Sequence, residues 1–207
     1  MTGVPEFKNF SPTTLADVLG RGQVMDIGIR PLWRSVSRVA GPAFTVRCPA
    51  GDNLMVHAAL HRAPAASIVV VEAGDVDCAV AGGNVCAVAQ RRGIAAFVVD
   101  GVIRDLAQVR ELGFPVFARG VIPVPGGKTA TTPLNGPVRC GGVNVNAGDI
   151  VVADEEGIVV IPRARQEQVL RDAQNKLDAE ADESLDAWEV AHRARIDTIL
   201  AENGFKD

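Results

Sequence analysis

Two periodicities of apolar residues organise the chain. The uninterrupted β-branched runs "SIVVVEA" (67–73) and "IAAFVVD" (94–100) flank "VAGGNVCAVAQRRG" (80–93), where apolar residues recur at helical spacing and stop at Gly93. Continuous apolar strands are buried on both faces, so this order predicts a strand, a crossover helix and a parallel strand. "AFTVRC" (43–48) alternates like a further strand, and "GDNLMVHAALHRA" (51–63) reads as a helix with Asp52 at its cap. Ser11-Pro12 opens an earlier short helix over "TTLADVL". Asp105 to Leu112 is a short amphipathic helix closed by Gly113, and "PVFA" (115–118) resumes β character.

From Pro123 to Pro162 the texture changes to short strands, "VRC", "VNVN", "IVVA" and "GIVVIP", punctuated by Gly141-Gly142, Gly148-Asp149 and Glu156-Gly157. This half predicts antiparallel β structure forming a second layer on the same core. After Arg163 the stripe Val169, Ala173, Leu177, Ala181, Leu185 and Trp188 predicts one long helix, or two joined near Ser184. Trp188 is expected to pack on its own core or on a neighbouring subunit. The chain thus divides into an α/β domain over residues 1–162 and a C-terminal helical extension over 163–207.

Parallel connectivity gives these elements a spatial meaning. Each strand's C-terminal end lies at the edge where the following helix begins, so the loops 81–85 and 100–105 meet there. The apolar run is expected to break at Asp100-Gly101. Gly82 and Gly83 allow close approach of a ligand, and the amides of Gly83, Asn84 and Val85 at a helix start suit a carboxylate. Arg104 supplies a fixed cation for a carbonyl or enolate oxygen, and Asp105 a hard anionic oxygen suited to Mg²⁺ or Mn²⁺. A competing reading makes Asp105 with Gln108 a variant capping box worth about 1 kcal/mol, and Gly82-Gly83 a tight turn.

Composition removes several function classes. With 4% aromatic residues, no Tyr and a net charge of -4, the chain lacks a basic or stacking surface for nucleic acid. No apolar segment approaches the roughly 18 residues of a membrane span, and the N-terminus lacks the build of a signal peptide, so a cytoplasmic protein is expected. Cys48, Cys78, Cys86 and Cys140 lack zinc-site spacing and read as small buried hydrophobes. His57 and His61 stand four apart without a third ligand, which favours a packed or interface role. Asp17 and Asp154-Glu155-Glu156 could donate acids to a neighbouring site, and helix-surface and hairpin-turn positions explain them equally well. There is no serine nucleophile elbow, and Cys86 lacks an evident His partner.

The stretches "RVAGPAFTVRCPAGDNLMVHAAL", "AGGNVCAVAQRRGIAAFVVDGVIRDL", "LGFPVFARG" and "GGVNVNAGDIVVADEEGIVVIP" resemble the RraA-like family, over roughly residues 11–175. That family includes 4-hydroxy-4-methyl-2-oxoglutarate/4-carboxy-4-hydroxy-2-oxoadipate aldolases. The resemblance implies a layered α/β/β fold of the swivelling type, assembly as a homotrimer or homohexamer with sites at subunit boundaries, and divalent-metal chemistry without a Schiff-base lysine. The family signature, a glycine followed after twenty residues by Arg-Asp, is matched by Gly83 and Arg104-Asp105. By that resemblance Gly82 to Val85 bind a carboxylate, Arg104 the keto or enolate oxygen, and Asp105 the metal. Two positions depart from the aldolase pattern, Gly83 and Gln108, where aldolase members commonly carry acids. The absent acid at Gly83 bears on proton transfer, and the base is expected to be a metal-bound or nearby water.

The implied activity is a class II pyruvate-type aldolase cleaving a 4-hydroxy-2-oxo acid to pyruvate and a second oxo compound, or a related oxaloacetate decarboxylase. Both reactions leave a pyruvate enolate. The alternative from another class is a non-catalytic regulator that binds ribonuclease E or another protein. The demethylmenaquinone methyltransferase label attached to some relatives ranks low, because no glycine-rich adenosylmethionine loop followed by a suitably spaced acid is found.

Overall fold

The computed structural model describes residues 6–182 and 184–205. In chain order its helices are α1 (Pro12–Leu19), α2 (Leu54–Leu60), α3 (Gly83–Arg91), α4 (Leu106–Leu112), α5 (Gln166–Asp182) and α6 (Leu185–Glu202). Its strands are β1 (Arg30–Pro31), β2 (Val39–Cys48), β3 (Ile68–Ala73), β4 (Ala79–Ala81), β5 (Ala96–Ile103), β6 (Val116–Val121), β7 (Val138–Cys140), β8 (Val143–Val145), β9 (Ile150–Asp154) and β10 (Gly157–Ile161).

The main sheet runs β1-β6-β5-β3-β2-β9-β10, with β4 paired to the far end of β5. Strands β2, β3, β5 and β6 are parallel neighbours, and α2, α3 and α4 cross over one face. β2 serves two pairings in succession. Residues 39–42 pair antiparallel with β9, and residues 43–48 pair parallel with β3. At the changeover a Cβ on Gly41 would stand 2.4 Å from the Ala66 carbonyl oxygen, so the close approach requires glycine.

Three apolar clusters follow from this layering. Phe44, Val69, Val71, Phe97 and Val99 face the helices, where Val56, Cys86, Ala89 and Val109 meet them. The alternate residues Ile68, Val70, Ala96 and Val98 face the β7–β8 hairpin and the inner side of β9–β10. The outer side of β9–β10 packs Ile150, Val152, Val159 and Ile161 against Phe7, Leu15, Val169 and Ala173. The α/β/β order is therefore observed, with α1 and the first half of α5 as a further layer behind the antiparallel half. All four cysteines are free and buried.

Two local expectations are corrected. β5 does not break at Asp100-Gly101 but continues to Ile103, through an irregular register between Val99 and Val102. The cause is β4, which pairs with Val102 and Ile103 and was too short to read from its pattern. Asp52 lies one residue before the cap position of α2, yet its Oδ1 still accepts from the Leu54 N–H at 2.8 Å.

The C-terminal segment forms two helices joined at Ser184, whose Oγ accepts from the Ala187 N–H at 3.2 Å as a helix cap. Its apolar stripe behaves differently along its length. Val169 and Ala173 are fully buried, whereas Leu185 and Trp188 on α6 are 75% and 47% exposed. Trp188 stacks on His192 of its own helix, not on the body of the protein. Among the described residues no helix is long and apolar enough to cross a membrane.

Candidate functional site

The two loops named above do meet. The Arg104 N–H donates to the Ala81 carbonyl at 3.0 Å, fastening the end of β5 to the end of β4. From these adjacent strand ends α3 begins at Gly83 and α4 at Leu106. Asp105, between β5 and α4, holds a left-handed backbone conformation with φ 59° and ψ 39°. A non-glycine residue in that region stores strain of the order of 1–3 kcal/mol.

Asp105 occupies the cap position of α4 but makes no side-chain capping bond to it. Its Oδ2 instead accepts from the Gly83 N–H at 3.1 Å, across to the start of α3. The capping-box reading is thereby excluded for Asp105. Arg104 Nε stands 3.5 Å from the same Oδ2, and the two side chains remain 43% and 41% exposed. This is a loose pair, open to a ligand.

The glycines have separable reasons. A Cβ on Gly82 would lie 2.6 Å from Asp105 Oδ2 and 2.9 Å from Arg104 Cγ, so a side chain there would displace the pair. A Cβ on Gly83 would lie 1.9 Å from Gln108 Oε1. The two departures from the aldolase pattern are thus one local arrangement, in which Gln108 fills the space that a side chain at 83 would need. The structure also amends the proposed amide set. Gly83 N–H is taken by Asp105, which leaves those of Asn84 and Val85 in the first turn of α3 without intrahelical partners.

Gly82, Asn84, Val85, Arg104 and Asp105 line one side of a pocket of about 180 Å³. Drug-sized and cofactor clefts run to about 300–1,000 Å³, so this one suits a small acid better than adenosylmethionine. The other side presents three residues that sequence reasoning did not assign to the site: Asn53, His57 and Lys128. His57 lines this pocket, and partial burial, followed by repulsion from Lys128 and His61, holds its pKa below the usual histidine value.

Backbone bridges carry these residues to the site. The Asn53 N–H donates to the Gly127 carbonyl at 2.8 Å and the Gly127 N–H to that of Gly51 at 2.7 Å. Asp52 Oδ2 accepts from the Thr129 N–H, the Thr129 hydroxyl and the Ala130 N–H at 2.6, 3.0 and 3.1 Å. Those bonds, the Thr129 N–H first, hold the Asp52 carboxyl down at about 2. No spacing in the sequence signals this contact between residues 51–54 and 127–130.

Cys86, on α3 behind the site, is no nucleophile: burial, with a smaller contribution from the Asp105 charge, pushes its thiol up to about 12. Among the described residues no group of three His, Cys, Asp or Glu side chains could hold a metal. Asp105 alone offers a carboxylate beside Arg104, and that donor set matches Mg²⁺, which keeps several waters and uses one or two carboxylates plus substrate oxygens. It does not match a tetrahedral zinc site.

Comparison with known proteins agrees with the fold. A protein of Halalkalibacterium halodurans named "Putative 4-hydroxy-4-methyl-2-oxoglutarate aldolase" is 37% identical over 199 residues, covering 96% of this chain and 90% of that one. The solved structure of Streptomyces coelicolor RraAS2, described as an unusual member of the RNase ES inhibitor RraA protein family, superposes with a TM-score of 0.77 at 30% identity, covering 86% of this chain and 93% of that one. The RNA-processing inhibitor RraA from Thermus thermophilus gives a TM-score of 0.67 at 28% identity, covering 73% and 92%. With the RraA-like (aldolase/RraA) family profile matching residues 12–160, the chain belongs to the RraA-like family.

Proposed function

We propose that the protein is a divalent-metal-dependent, class II pyruvate-type aldolase acting on 4-hydroxy-2-oxo acids, with the Arg104–Asp105 edge as its active site. The observation that carries this reading is the conformation of Asp105, strained into the left-handed region and turned away from capping its own helix, beside Arg104 in a small pocket. Strain of this kind persists where surrounding structure enforces it, and it clusters at functional sites. The name carried by the H. halodurans relative supports the substrate class.

In the reaction the C4 hydroxyl loses its proton to a base and the C3–C4 bond breaks. Its electron pair flows to the C2 carbonyl oxygen, C4 becomes a carbonyl, and the resulting enolate takes a proton at C3 to give pyruvate. Arg104 faces the keto oxygen, where the enolate charge gathers, and the Asn84 and Val85 amides receive the carboxylate. His57, a neutral imidazole on the pocket wall, is competent to accept the proton directly or through water. Asp105 would hold Mg²⁺ or Mn²⁺, which supplies Lewis-acid polarisation of the 2-oxo group when bound. Loss of CO₂ from oxaloacetate leaves the same enolate, so the site would support that decarboxylation too. We further propose assembly as a homotrimer or homohexamer.

The test is pyruvate release from 4-hydroxy-4-methyl-2-oxoglutarate with Mg²⁺ or Mn²⁺. Release that EDTA abolishes, that added metal restores, and that Arg104→Ala lowers at least 100-fold is expected. Absence of release with folded protein and metal present contradicts the reading. The two solved RraA relatives would then favour inhibition of an RNA-degradation enzyme through the protein surface, measured as direct binding that Arg104→Ala leaves intact.

A further inference from the structure

The last helix has no partner within its own protomer. Every residue of α6 is exposed, and among the described residues its side-chain hydrogen bonds and its one ion pair close within the helix and its Ser184 cap. An isolated helix of this length is marginal in water, because helices in proteins draw most of their stability from packing an apolar face. α6 carries such a face. Leu185, Trp188, His192, Ile196 and Ile199 fall within about 80° of arc at 3.6 residues per turn. The four apolar members stand between 38% and 75% exposed, and Trp188 is already held in the stripe by stacking on His192 with ring centroids 4.5 Å apart.

The order of that face limits what can cover it. Its spacing is 3, 4, 4 and 3 residues, which reads the same in both directions about His192. A second helix of the same sequence, turned end for end, therefore sets Leu185 against Ile199 and Trp188 against Ile196, with His192 at the axis. A stripe built for an unrelated partner needs no such symmetry. Charge follows the same rule. Glu189 and Arg193 stand one turn apart on one flank of the stripe, and the end-for-end turn brings Glu189 of each helix within roughly 3 Å, along the axis, of Arg193 on the other. Glu189 joins no ion pair among the described residues, and Arg193 has only a 3.9 Å contact with Asp197 in which both side chains are largely exposed.

We infer that α6 pairs antiparallel with the α6 of a second copy of this chain, about a twofold axis at His192, burying the Leu185–Ile199 stripe between two Glu189–Arg193 ion pairs. The contact is isologous, the same patch serving on both copies. It joins whatever carries it in pairs, so on the trimeric body proposed above it selects the homohexamer over the homotrimer. The pairing itself makes no use of the aldolase reading, since α6 lies outside the pocket that holds Arg104 and Asp105.

Sedimentation equilibrium of the full chain should give twice the mass of the Trp188→Asp/Ile196→Asp variant. Glu189→Arg and Arg193→Glu should each raise the dissociation constant at least 5-fold, and the two reversals together should return it to within 2-fold of the natural value. Crosslinking then reads the direction of pairing. With the four native cysteines free and buried, His192→Cys should form a disulfide-linked dimer on mild oxidation, whereas Trp188→Cys should link only when mixed with Ile196→Cys. A wild-type protein no heavier than the aspartate variant leaves the stripe to its own body or to a different protein, and overturns the pairing. Trp188→Cys linking to itself as readily as His192→Cys overturns the antiparallel direction. None of these changes touches Arg104 or Asp105, so failure here leaves the aldolase reading standing, and an absence of pyruvate exchange leaves the pairing standing.

Discussion

Two arginine–aspartate contacts involve β5 or the turn that follows it, and they differ in saturation. Arg119 on β6 binds Asp100 through Nε and Asp26 through Nη1, Asp100 Oδ2 accepts from the Gly141 N–H at 2.7 Å, and Asp26 Oδ1 accepts from the Gly28 N–H at 2.8 Å. The Gly28 bond and Arg119 hold Asp26 below the usual carboxylate range, and the bond to Asp100 raises Arg119 above its ordinary value. Arg104 and Asp105 have a 3.5 Å contact and a strained backbone instead. The first network has its bonds and joins strands to the β7–β8 hairpin. The second keeps capacity in reserve, as a site for a ligand must.

Mutation should separate the two contacts, beginning with the largest effect. Arg104→Ala should reduce enolate formation about 10²–10³-fold, the range for removing a group aimed at a developing oxyanion. Asp105→Gly should lose activity as well, yet leave the thermal midpoint unchanged or raised, because glycine adopts positive φ without strain. Asp100→Ala should do the reverse. By stranding Arg119 and the Gly141 N–H it should cost about 1–3 kcal/mol in denaturant unfolding while pyruvate exchange stays within about 3-fold.

A smaller effect concerns Gly83 and Gln108. Gly83→Ala meets only the far end of the exposed Gln108 side chain, which can swing aside, and alanine is the better helix former, so stability should be unchanged or raised by up to about 1 kcal/mol. A double-mutant cycle with Gln108→Ala should return a coupling below about 0.5 kcal/mol. The mildest test is acid titration. The Thr129, Leu54 and Ala130 bonds hold the Asp52 carboxyl at about 2 against its ordinary 3.8, so its contribution is fully present above roughly pH 4 to 5 and is lost as pH falls toward 2. Asp52→Asn should flatten the acid limb of stability over that window.

The strand–helix–strand core was legible because its runs 67–73 and 94–100 are buried on both faces, and the residues at its edge follow from connectivity alone. The antiparallel half was legible through its glycine turns. The far wall of the pocket was not, since Asn53 and Lys128 are brought together by backbone pairing between segments over seventy residues apart. Nor could spacing decide between a capping Asp105 and one turned toward Gly83, because both place the same residue before the same helix. The stripe through Val169 and Trp188 shows the same ambiguity: its period is continuous, but burial stops before α6.

The central claim is that Arg104 and Asp105 form a metal-assisted enolate site. It is tested most directly by proton NMR of pyruvate in D₂O with the protein and Mg²⁺ or Mn²⁺. The account predicts loss of the methyl signal that EDTA stops, that Arg104→Ala abolishes and that Asp100→Ala retains. A methyl signal that persists with folded protein and metal present, or exchange that survives Arg104→Ala, would contradict it.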